Sequence, residues 1–90
     1  MESKIYAVFD SKALVYRTPP FFMATDGMAV RAMSDLVNSP ETEFYRHTQD
    51  FTLYQIGLFE DSTGAISGIE PRAVLHLPEL IDERRKNGKE

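Results

Sequence analysis

Hydrophobic and polar side chains alternate through Lys4-Ile5-Tyr6-Ala7-Val8-Phe9-Asp10, and a period of two predicts a β-strand. Ile5, Ala7 and Phe9 are assigned to a core, with Tyr6 and Val8 on the other side. Asp10-Ser11-Lys12 is a turn-like break, and Ala13 to Tyr16 predicts a short second strand. That strand ends at Thr18-Pro19-Pro20; two residues without an N–H cannot sit inside a central strand. Phe21-Phe22-Met23-Ala24 follows as a short extended piece.

The spacing then changes from strand to helix. Ala29, Ala32, Met33, Leu36 and Val37 fall on one stripe, while Arg31, Ser34 and Asp35 look outward. Thr25 or Asp26 can cap this helix, and Asn38-Ser39-Pro40 stops it. Glu41 to His47 is ambiguous in pattern, with Ser39-Pro40-Glu41 able to begin one helical turn.

Phe51 to Glu60 is the longest strand candidate. Phe51, Leu53 and Phe59 are assigned to one face and Tyr54, Ile56 and Leu58 to the other. Two apolar faces predict a central strand, or one covered by a partner. Gly57 within it marks a bulge or a close backbone approach. Asp61-Ser62-Thr63-Gly64 has hairpin-turn chemistry, with Ala65 to Ile69 returning as the paired strand. A short extended stretch from Arg72 to His76 precedes a last helical turn between Pro78 and Lys86. Together these elements predict one α+β domain over residues 1–82 and a basic, flexible tail over residues 83–90. The domain is a small antiparallel sheet of roughly three to five strands covered by one main helix, with a short C-terminal helix.

Composition narrows the function classes. Ninety residues, 42% hydrophobic and 27% charged, suffice for one hydrophobic core and not for two ordinary domains. Cysteine is absent, which excludes disulfides, thiolate nucleophiles and Cys-ligated zinc. No apolar run approaches the roughly 18 residues of a membrane helix, and Met1 to Lys4 leads directly into the first strand; a cytoplasmic protein without membrane contact is expected. Ten Lys and Arg against fourteen Asp and Glu give a net charge of -4. That balance argues against a protein that coats a duplex, although it can hide a local basic patch.

Enzyme motifs are missing from the sequence. Asp61-Ser62-Thr63-Gly64 carries one serine too many for an aspartic-protease signature and reads as a turn. His47 and His76 stand in no metal-binding spacing; His47 is placed on a loop and His76 partly in the core. The five glycines are scattered and form no phosphate-binding loop. A non-catalytic protein without cofactor or metal is the expectation.

Aromatic residues remain, at 11% of the chain. Several tyrosines adjoin cations: Tyr6 lies two positions from Lys4, Tyr16 precedes Arg17, and Tyr45 precedes Arg46. Aromatic rings interleaved with cations can stack unpaired bases while the cations follow phosphates. The candidate nucleic-acid-binding residues are therefore Lys4, Tyr6, Lys12, Tyr16, Arg17, Tyr45, Arg46 and Tyr54, joined by Arg84, Arg85 and Lys86 of the tail. Phenylalanines are assigned to the core, whereas each tyrosine fits a core or a surface equally well.

Several segments, in matching order, resemble the small non-structural protein of the gokushovirus-like microviruses, phages with circular single-stranded DNA genomes. They are Tyr6-Ala7-Val8-Phe9-Asp10-Ser11-Lys12-Ala13, Pro20-Phe21-Phe22 and Thr25-Asp26-Gly27-Met28-Ala29-Val30-Arg31-Ala32. Asp50-Phe51-Thr52-Leu53-Tyr54-Gln55-Ile56-Gly57, Phe59-Glu60-Asp61 and Thr63-Gly64 complete the set. The resemblance implies a phage protein of the host bacterial cytoplasm, absent from the virion, that assists single-stranded DNA synthesis or packaging. It supplies no site residues, and the segment from Pro71 to Glu90 lies outside it.

Two functions follow as expectations. One is a single-stranded DNA-binding accessory; the other is an adaptor that binds phage replication or capsid proteins with little DNA contact. Under either, one helix covers little of a sheet that is apolar on both faces, so a homodimer or higher homo-oligomer is expected.

Overall fold

Two prolines interrupt one edge of the sheet. In the computed structural model, which describes residues 1–82, strand β1 (Glu2–Asp10) is followed by β2 (Val15–Tyr16) and β3 (Phe21–Met23). Both short strands pair antiparallel with β1, β2 through Phe9 and Asp10 and β3 through Lys4, Ile5 and Tyr6. They form one edge strand broken at Thr18-Pro19-Pro20, where proline has no N–H to give. The other edge of β1 pairs with β4 (Phe51–Glu60), which pairs in turn with β5 (Ala65–His76). β4 is thus a central strand, as its two apolar faces require. β5 runs unbroken through the stretch where two separate segments were expected; it lies at the outer edge, where Pro71 costs no ladder bond.

Helix α1 (Asp26–Val37) starts where the Thr25 hydroxyl accepts the N–H of Met28, satisfying one of the orphan donors of its first turn. Ala29, Met33 and Val37 are buried, while Leu36 at the rim of the predicted stripe is exposed. The short helix α2 (Glu43–Arg46) and 3-10 turns at Thr48–Asp50 and Leu77–Leu80 close the same layer. The core between helix layer and sheet holds Tyr6, Val8, Ala29, Met33, Val37, Phe51, Leu53 and Leu77. Strand-dominated α+β is the architecture, with a sheet covered on one side.

The helix covers the side of β1 opposite to the one assigned to a core. Tyr6 and Val8 lie under it, while Ile5 and Ala7 are also buried, on the other face, together with a half-buried Phe9. Both faces of β1 are apolar, so period alone cannot choose between them. The Tyr6 hydroxyl, which must find a partner once buried, reaches Asp26 at the start of α1. The β4 face assignment also changes. The β1–β4 register shifts between Ile5 and Tyr6, where Tyr6 opposes Gln55 but Ile5 opposes Gly57. The extra residue, Ile56, reverses parity, so Phe59 shares a face with Tyr54 and not with Leu53. Gly57 combines both roles expected of it: a Cβ there would stand 2.7 Å from the Ser67 carbonyl oxygen.

Candidate functional site

The register places three rings on the uncovered sheet face. Phe9 is the cross-strand partner of Tyr16, and Ala7, two residues back on the same face, is the partner of Tyr54. Ring centroids lie 4.9 Å apart for Phe9–Tyr16, 5.6 Å for Tyr16–Tyr54 and 6.2 Å for Phe9–Tyr54. The two contacts to Tyr54 are edge-on, so the cluster offers ring faces and edges rather than one closed stack. Tyr16 is 38% exposed.

A second pair lies further along this face. Phe22, opposite Ile5, meets Phe59 edge-on at 5.3 Å, with Phe22 exposed and Ile66 beside Phe59 more so. Between the two groups Gly57 faces Gly68, and no atom lies within 4 Å of where a Gly68 side chain would begin. The floor of the face is open at Gly68, whereas Ile5 Cδ1 packs over Gly57.

The chemistry of the covered face is different. Asp26 accepts a 2.6 Å hydrogen bond from the Tyr6 hydroxyl and two of 2.9 Å from Nη2 of Arg72, and Lys4 Nζ approaches it to 3.6 Å. Arg72 also donates to Gln55 Oε1 at 2.8 and 3.0 Å. Burial, and then the bond to Asp26, push the Tyr6 hydroxyl above the ordinary tyrosine range. The same bond, followed by Arg72, holds the Asp26 carboxyl below the usual carboxylate range. At the far end of β1, Asp10 accepts the N–H groups of Lys12 and Ala13, and Arg17 bridges it to Glu43 at 3.2 and 2.6 Å. Those two N–H groups, Ala13 first, and then Arg17 hold the Asp10 carboxyl low.

The candidate residues therefore divide. Tyr16 and Tyr54 come together on the open face. Tyr6 is fully buried and is withdrawn as a base-stacking surface, because its ring stacks on Phe21 inside the core. Tyr45 stands half-buried on α2, apart from the sheet face. Lys4 and Arg17 are already engaged by carboxylates. Lys12 and Arg46 are exposed and have no carboxylate partner among the described residues. Arg84, Arg85 and Lys86 lie outside the described residues, as does the rest of the predicted tail. Of the last helical turn expected from Pro78 to Lys86, the chain is helical only to Leu80 and extended at Ile81, and residues 83–86 lie outside the described residues. His47 caps the end of α2, and His76 is exposed, not in the core: it sits on the open edge strand with its ring 3.1 Å from the Gln49 carbonyl oxygen.

Sequence reasoning missed Phe9, Phe22 and Phe59, all assigned to the core. Their signal was the apolar second face of β1 and β4, which no helix is left to cover. It also missed Leu14, 74% exposed in the turn between Phe9 and Tyr16, with a left-handed φ of 61°. An apolar side chain in that backbone region is uncommon and costs about 1–2 kcal/mol.

Among the described residues no helix is long and apolar enough to cross a membrane. No curated protein and no solved structure matches the chain. A family model described as Phage ORF5 protein matches residues 3–80, which takes in β1 through the Leu77–Leu80 turn; the chain belongs to the Phage ORF5 protein family.

Proposed function

We propose that this phage protein is a non-catalytic accessory of a microvirus that binds viral single-stranded DNA in the host cytoplasm during genome synthesis or packaging. The observation that carries this reading is the Phe9–Tyr16–Tyr54 cluster on a sheet face with no covering layer among the described residues. Sheets that read single strands do so with exposed aromatic rings on an open face, each stacked base contributing about 1–3 kcal/mol. Stacking needs no excess of cations, which fits a chain of net charge -4. Anisotropy of a labelled oligonucleotide tests the reading: the protein binds a single strand in preference to duplex, and Tyr16→Ala with Tyr54→Ala weakens binding. Equal affinity of this double variant, or no binding by the wild type, would overturn it.

A second reading is an adaptor for phage replication or capsid proteins, or for a second copy of this chain. Phe22, 46% exposed, and Ile66, 66% exposed, favour it, since a patch of that kind suits a protein surface. Retention of the phage replication initiator or procapsid, lost on Phe22→Ser with Ile66→Ser, is the outcome that selects this reading. Light scattering separates self-association from both.

A further inference from the structure

We propose that a cleft in the helix layer, beside the turn that ends β1, binds the phosphate groups of the single strand; this rests on the DNA-binding reading above. The cleft has a volume of about 360 Å³ and is lined by Lys12, Arg46, His47, Asp50 and Ile81, among others.

The carboxylates of the described residues decide which cations can act on a phosphate. Lys4 and Arg72 are held by Asp26, and Arg17 by Asp10 and Glu43. Lys12, Arg31 and Arg46 have no such partner among the described residues. Arg31 points outward from α1, away from the sheet, whereas Lys12 and Arg46 both line this cleft; Lys12 also borders an adjoining one that holds Asp10, Glu43 and Asp50. Among the described residues the guanidinium of Arg46 makes only a long contact, 3.4 Å, to the Glu41 carbonyl oxygen, which leaves donors for a ligand. The His47 ring adds an N–H donor to the same wall.

Position ties this cleft to the rings. Lys12 follows Phe9 by three residues, so their Cα atoms are no more than about 11 Å apart. The turn that carries Lys12 is the one that returns the chain to Tyr16. A strand that passes round the β1–β2 turn therefore meets both the Phe9–Tyr16 rings and the Lys12 wall of the cleft.

Asp50 lines the wall and opposes an anion, which gives the site a built-in handle. Its carboxylate makes no side-chain hydrogen bond among the described residues, so Asp50→Asn removes charge with little cost to the fold. At a separation of a few ångströms in solvent, losing that repulsion raises oligonucleotide affinity roughly threefold.

The test pairs salt-dependent anisotropy with an NMR titration by inorganic pyrophosphate. Lys12→Gln with Arg46→Gln removes two phosphate contacts, and the slope of log affinity against log salt falls by about 1.4. Arg31→Gln leaves the slope unchanged, and Asp50→Asn binds more tightly than wild type. Pyrophosphate moves the resonances of Lys12, Arg46 and His47. If the oligonucleotide binds but the double variant keeps the wild-type slope, the cleft is overturned and the stacking face stands. If pyrophosphate moves those resonances but no oligonucleotide binds, the single-strand reading fails while an anion site remains.

Discussion

The Tyr6 hydroxyl donates to the Asp26 carboxylate across 2.6 Å, joining the middle of β1 to the first turn of α1. Arg72 on β5 takes both oxygens of the same carboxylate with one nitrogen, so three elements meet at one group. The contact lies on the face that the helix covers, opposite the Phe9–Tyr16–Tyr54 rings.

Tyr6→Phe keeps the buried ring and removes the bond. A hydrogen bond to a charged group contributes about 1.5–3 kcal/mol, and the partial exposure of Asp26 places the loss toward the lower figure. Urea titration measures it. Oligonucleotide affinity is unchanged, because Tyr6 belongs to the core and not to the open face.

Asp26 also sets a pH dependence. Its pKa is lowered in the fold, so its contribution is fully present above the unfolded carboxylate value of about 3.9. It is lost as pH falls through the lower folded value. The urea midpoint of the wild type therefore drops on going from neutral pH into that acid range, and Asp26→Asn drops less over the same interval. Equal drops would contradict the assignment.

Two facing glycines respond oppositely. Gly57→Ala drives a Cβ to 2.7 Å from the Ser67 carbonyl oxygen and 3.3 Å from Ile5 Cδ1, so the backbone must shift, costing about 1–3 kcal/mol. Gly68→Ala enters open space and stabilises the strand by about 0.5–1 kcal/mol. Thermal melts of the two variants give the comparison.

Cations already held by carboxylates contribute little to a ligand. Lys4→Gln and Arg17→Gln leave the salt dependence of oligonucleotide binding at its wild-type slope. Arg17→Gln instead loosens the link between Asp10 and Glu43 and lowers the melting temperature by a few degrees, corresponding to about 1 kcal/mol.

Elements defined by neighbouring residues were legible in the sequence. The Thr25 cap, the Ala29–Met33–Val37 stripe, the turn at residues 61–64 and the proline break all follow from chemistry within a few positions. Features set by distant pairing were not. The burial of Tyr6 depends on Asp26, twenty positions later. Phe59 changes face because one residue bulges beside Gly57, which reverses everything beyond it. Lys4 and Arg17 resemble free cations in the chain because their acids, Asp26 and Glu43, lie far along it. Tyr16 and Tyr54 were candidates as separate rings; only the pairing of β1 with both β2 and β4 makes them one surface.

Titration of isotope-labelled protein with an unlabelled thymidine oligonucleotide, followed by amide and aromatic NMR, tests the central claim most directly. The account predicts shifts at Phe9, Tyr16 and Tyr54 and at Lys12 and Arg46, with the Tyr6 ring and the α1 amides from Ala29 to Val37 unmoved. Shifts concentrated on α1, or none with any single strand, would contradict it.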